Sequence, residues 1–147
     1  KVLASSDLTT YDATSGSSVN VAEEKLTAAI RSVSVDELPK VYFLNGYSSF
    51  TLTSGMQYLN MYLQNEVNQV ETLDILSTGK VPDDCSTLVI ASPEKDFDDV
   101  ATNAITEYIN KGGNILWLNA AIAKQLNLPN VNKILALYGV KPFEIFE

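Results

Sequence analysis

The sequence predicts an α/β fold, a Rossmann-like three-layer sandwich with a mostly parallel sheet. Three observations carry this. Val41-Tyr42-Phe43-Leu44, Thr87-Leu88-Val89-Ile90-Ala91 and Ile115-Leu116-Trp117-Leu118 are short, unbroken apolar runs, the pattern of strands covered on both faces. Amphipathic stretches of helical period separate them. The resulting order, β-α-β-β-α-β-α-β, is that of a sheet laid between helical layers.

Taken in order, residues 1–20 form a polar N-terminal segment, read as the end of a preceding region, and residues 21–147 a single domain. The segment SSDLTTYDATSGSSVN is rich in Ser, Thr, Asp and Gly and reads as loop or loosely attached edge. Lys1-Val2-Leu3 reads as the inside of a longer protein. Asn20 caps a helix that begins near Val21, with Glu23 and Glu24 in its first turn and Leu26, Ala29, Ile30 and Val33 along one face. After Pro39 the first apolar strand runs to Asn45-Gly46. Ser54 is placed to cap the next helix, whose stripe is Met56, Leu59, Leu63 and Val67, with Tyr58 and Tyr62 at core or rim.

A second strand spans roughly 70–76 and carries Glu71 and Asp74, so it belongs near an edge. Val81-Pro82-Asp83-Asp84 is a turn. Ser92-Pro93 stops the third strand, and Asp96 or Asp98 caps a helix bearing Ala101, Ala104, Ile105 and Tyr108. Lys111 followed by Gly112-Gly113 ends that helix. Beyond the fourth strand come a short Ala-rich helix over 120–126, a last helix capped by Asn130 and ended by Gly139, and a weak edge strand over 140–146.

Composition narrows the chemistry. The 147 residues carry a net charge of −8, the wrong sign for neutralising a nucleic-acid backbone or adhering to anionic lipid. No histidine is present, which removes the commonest general base and metal ligand. The single cysteine, Cys85, precedes its strand, follows two aspartates and lacks the glycine-flanked turn of a nucleophile elbow. It reads as a small packed residue. The acids Asp83, Asp84, Glu94, Asp96, Asp98 and Asp99 lack calcium-loop spacing, and helix capping explains those near 96–99. Gly112-Gly113 follows a helix, whereas phosphate-cradling glycines precede one. No metal or cofactor is expected, and no run reaches the roughly 18–20 apolar residues of a membrane span.

Ligands of open parallel sheets sit beyond the carboxyl ends of strands. The candidate ligand-binding residues are therefore Asn45, Gly46, Tyr47 and Ser48, with Ser49 beside them, then Ser92 and Glu94, and Asn119. The simpler reading of the same loops is that Gly46 makes a turn and the serines solvate it. No catalytic set is found among them.

Several ordered pieces carry a family resemblance: Glu23–Ile30 leading to Pro39-Lys40-Val41-Tyr42-Phe43-Leu44-Asn45-Gly46; Val81-Pro82-Asp83-Asp84 before Leu88-Val89-Ile90; Ser92-Pro93 with Asp96; Tyr108-Ile109 with Gly112-Gly113-Asn114; and Leu128-Pro129-Asn130 with Tyr138-Gly139-Val140. Over roughly residues 20–141 the chain resembles the extracytoplasmic region of gliding-motility-type auxiliary proteins of ABC transporters, the family of ABC-type uncharacterised transport system domains. The resemblance implies a sheet similar to that of glutamine amidotransferases and intraflagellar-transport proteins, without their catalytic residues. Many members have a Gly-His-Gly-Glu-like sequence after the first strand. Here Gly46-Tyr47-Ser48-Ser49 stands instead, so no site role carries over.

The implied function is that of a non-catalytic accessory domain on the extracytoplasmic side of the cell membrane. Segments outside this sequence would anchor it, and its partners would be the permease and ATPase subunits of the same system. A carbohydrate-like small-molecule binding module is the alternative expectation, and a degenerate amidotransferase- or hydrolase-like relative the second.

Overall fold

The computed structural model describes residues 2–34, 36–66, 68–120 and 127–140. Two strands, β1 (Thr9–Asp12) and β2 (Ser17–Asn20), come first, after a 3-10 turn at Ser5–Leu8. They form an antiparallel hairpin separate from the main sheet. The polar segment expected as loop or loosely attached edge forms this hairpin. The Asp12 carboxylate accepts from the Thr14 amide at 2.8 Å and the Ser15 hydroxyl at 2.7 Å, and Gly16 adopts φ 66°, so side-chain chemistry and one left-handed residue close the turn. Helix α1 (Ala22–Ser34) follows. Asn20 accepts the Ala22 amide at 2.8 Å, the cap expected of it.

The main sheet contains β3 (Lys40–Leu44), β4 (Gln69–Leu73), β5 (Cys85–Ala91) and β6 (Asn114–Leu118), all parallel, in the order β4-β3-β5-β6. From β3 the chain passes outward to β4 through α2 (Gln57–Asn65). It then returns to β5 through the short α3 (Ile75–Thr78) and continues to β6 through α4 (Asp99–Asn110). Because parallel crossovers are right-handed, reversing direction after β4 puts α2 on one face and the later helices on the other. The core divides accordingly. Tyr42, Leu44, Leu88 and Ile90 face α3, α4 and α5 (Pro129–Leu137), whose Ile75, Ala101, Ile105 and Ile134 are buried against them. The alternate residues Val41, Phe43, Val89 and Ala91 face Leu59 and Leu63 of α2 and the loop residues Phe50 and Leu52. Burial on both faces is why these strands read as continuous apolar runs.

Some expectations are corrected. The second strand ends at Leu73, and Asp74 instead caps α3, accepting from the Ser77 hydroxyl at 2.6 Å. That strand does lie at the sheet edge, which suits its Glu71. Ser54 does not cap α2. Its amide turns back to the Thr51 hydroxyl at 3.0 Å, and α2 begins after Met56. Tyr58 and Tyr62 are 76% and 62% exposed, neither core nor rim, because Leu59 and Leu63 take the inward face. Asn130 is not a cap either. It lies in the first turn of α5 behind Pro129, and the amides of Asn130 and Val131 each reach Asp96 Oδ1 at 3.0 Å. A carboxylate from a distant loop supplies the acceptor that the preceding residue, Leu128, lacks. Val67, residues 121–126 of the Ala-rich helix expected over 120–126, and residues 141–146 of the edge strand expected over 140–146 lie outside the described residues.

Candidate functional site

The chain reverses direction between β3 and β5, so the crevice beyond their carboxyl ends is the topological switch point where open α/β sheets bind ligands. Asn45-Gly46-Tyr47 leaves β3 there, and Ser92-Pro93-Glu94 leaves β5. Gly46 turns at φ 94° with nothing near its Cα side, a conformation that carries no penalty for glycine. The turn sends Tyr47 inward. Its ring meets Phe97 edge to face, with centroids 4.9 Å apart, and only 7% of the residue remains exposed. Its hydroxyl donates to Asp98 Oδ2 at 2.5 Å. Asp98 also accepts the Ala101 amide at 2.9 Å as the N-cap of α4. One carboxylate therefore secures both the helix start and the tyrosine.

The loops are further stitched together. The Tyr47 carbonyl accepts from the amides of Glu94 at 2.8 Å and Lys95 at 3.2 Å. Ser49 donates to Glu94 Oε1 at 2.6 Å. Ser92 is 2% exposed and sits at φ 40°, a left-handed position unusual for serine. It is held there because its amide reaches the Leu118 carbonyl at 2.7 Å and its hydroxyl accepts from Ala120 at 3.3 Å. Of the residues singled out in the sequence, the fold brings Tyr47, Ser49, Ser92 and Glu94 together, with Asn119 just before the amide that meets Ser92. Asn45, Gly46 and Asn119 remain at the surface. Sequence reasoning missed the inward turn of Tyr47 and its bond to Asp98. The two residues stand 51 apart in the chain, and nothing local in either segment signals the pairing.

The electrostatics are those of a closed latch. Burial, followed by the bond to Asp98, pushes the Tyr47 phenol up, so it stays neutral and is no proton acceptor. The Tyr47 hydroxyl, then the Ala101 amide, hold Asp98 below the usual carboxylate range. Burial raises the Cys85 thiol, the opposite of what activates a nucleophile. An open cavity of about 440 Å³ lies at the other end of the sheet, between the starts of β5 and β6 and the last turn of α4. Among the described residues no group of three or more acidic or thiol side chains is placed to hold a metal ion, and no helix is long and apolar enough to cross a membrane.

Fold and site together define a Rossmann-like α/β domain whose switch point is filled by its own tyrosine. The chain belongs to the family described as ABC-type uncharacterized transport system, whose sequence profile matches residues 38–141. Among solved structures it is similar to the mmIFT52 N-terminal domain, at 18% identity and a TM-score of 0.52. The likeness covers 74% of this chain and 52% of that one, so the chain spans about half of that domain, and at this identity what is shared is the fold. No curated protein matches the chain.

Proposed function

We infer that this domain is a non-catalytic accessory module of an ABC transport system. It lies on the extracytoplasmic side of the membrane, held there by segments elsewhere in a longer protein, and works by binding partner proteins. Its direct partner on that side is the permease, through which it is linked to the ATPase. Family membership supports the transport assignment. One structural observation favours binding over catalysis: the outer face of α2. The helix reads QYLNMYLQN, without a single charge, and exposes Tyr58, Met61 and Tyr62 at 76%, 44% and 62%. These sit at i, i+3 and i+4, one ridge of a helix. Tyrosine and methionine enrichment with charge depletion is the composition of an interface centre. The filled switch point and the absence of histidine from the chain agree with this reading.

The test is purification of the full-length protein from membranes. The permease and ATPase subunits are expected to copurify, and Tyr58→Ala with Tyr62→Ala to release them while the melting temperature holds. Protease added to intact spheroplasts is expected to remove the domain. A domain cut only after lysis, or a complex indifferent to both substitutions, would sink the proposal.

A further inference from the structure

We propose that the cleft at the amino end of β5 and β6 binds a small zwitterion, an amino acid or dipeptide, gripped between the two ion pairs on its rim. This inference does not depend on the transport reading.

The cleft is built rather than incidental. Its volume, about 440 Å³, falls within the range of small-molecule pockets. The Tyr108 side chain fixes one wall. Its hydroxyl accepts from the Asn114 amide at 3.1 Å and lies 3.0 Å from the Asn114 carbonyl and 3.4 Å from that of Cys85. The ring lies where a Cβ on Gly113 would stand, 2.4 Å away, so the glycine gives the tyrosine its place. Val81, Pro82 and Ala104 contribute apolar surface.

Charge at the rim is balanced and alternates. Lys80 Nζ meets Asp83 Oδ2 at 2.6 Å, and Lys111 Nζ meets Glu107 Oε1 at 2.7 Å. All four side chains are between 63% and 75% exposed. Such pairs are weakly held, so a ligand's own charges can exchange into them. Asp83 also feels Lys111 across the mouth, so the two pairs share one field. A simple anion approaches against the chain's net charge of −8. A simple cation finds both rim carboxylates already paired with lysines. A molecule carrying both charges finds a carboxylate for its ammonium and an ammonium for its carboxylate.

The experiment is an amide-resolved NMR titration of the protein with free alanyl-leucine, with N-acetyl-alanyl-leucine and with alanyl-leucine amide. The free dipeptide is expected to shift the amides of Ser86, Tyr108 and Gly112 in a saturable way. Blocking either terminus is expected to weaken binding by at least about tenfold, the effect of losing one well-placed interaction. Asp83→Asn and Lys111→Gln are each expected to weaken it similarly, with the melting temperature unchanged because both side chains are exposed. No saturable shift at tens of millimolar dipeptide, a range beyond roughly millimolar affinity, would overturn the proposal. So would equal binding of the blocked forms, or shifts that survive both substitutions.

Discussion

Tyr47 follows the end of β3, where an enzyme of this architecture would bind its ligand, but its ring turns into the core against Phe97 and its hydroxyl is committed to Asp98. Removing that hydroxyl in Tyr47→Phe leaves the ring against Phe97 and costs one bond to a charged acceptor, an expected loss of roughly 1.5–3 kcal/mol in urea unfolding. The same variant is expected to bring the Asp98 pKa back up toward its ordinary range, read by carboxyl-carbon NMR, since the phenol is the first cause of its depression. The sign of the pH effect follows. Asp98 binds its proton less readily folded than unfolded, so its contribution is present above about pH 4, the ordinary aspartate value. That contribution is lost as pH falls through the folded pKa. Tyr42, Tyr47 and Tyr108 are raised chiefly by burial. Their share of stability is intact below about pH 10, the unfolded phenol value, and declines as pH rises beyond it. Phenolate absorbance is therefore expected to show some of the seven tyrosines ionising only as the chain unfolds. The loop of Tyr47 was legible in the sequence as a strand end. Its inward direction was not, because that depends on Phe97 and Asp98, which only the fold brings near.

Strands and long helices were the legible elements, and each for a physical reason. Val41–Leu44 and Leu88–Ala91 are buried on both faces, so their apolar runs are unmistakable. The stripe Leu59–Leu63 identifies α2, and Gly112 at φ 86° ends α4. Helix starts were harder to read. Ser54 and Asn130 have the right chemistry for caps, yet Ser54 is spent on a local turn and Asn130 lies behind Pro129, with Asp96 supplying the acceptor. Asp96→Ala is expected to cost about 1 kcal/mol, the value of an N-cap, and to speed hydrogen exchange in the first turn of α5. Two adjacent glycines should respond differently. Gly113→Ala drives a methyl into the Tyr108 ring at 2.4 Å, an overpacking expected to cost about 2–3 kcal/mol. Gly112→Ala meets no atom within 4 Å and carries only the strain of its left-handed backbone, about 1 kcal/mol.

At the scale of the whole molecule, the apolar surface left outside the core is concentrated on helices. Leu26, Ile30 and Val33 of α1, which recur along one face at helical spacing, are 49%, 64% and 68% exposed. Periodicity reveals that a face is apolar but not what covers it. Tyr58 and Tyr62, expected at core or rim, stand instead on the exposed outer face of α2. If that face is a binding surface, replacing Tyr58 and Tyr62 by alanine should change folding stability by less than about 0.5 kcal/mol, as for surface positions generally, while abolishing association. The most direct measurement is the comparison of full-length protein and the Tyr58→Ala, Tyr62→Ala variant, purified from membranes with stoichiometry determined for the permease and ATPase subunits. The account predicts both subunits with the native protein and neither with an equally stable variant. Full retention of both subunits by that variant would contradict it.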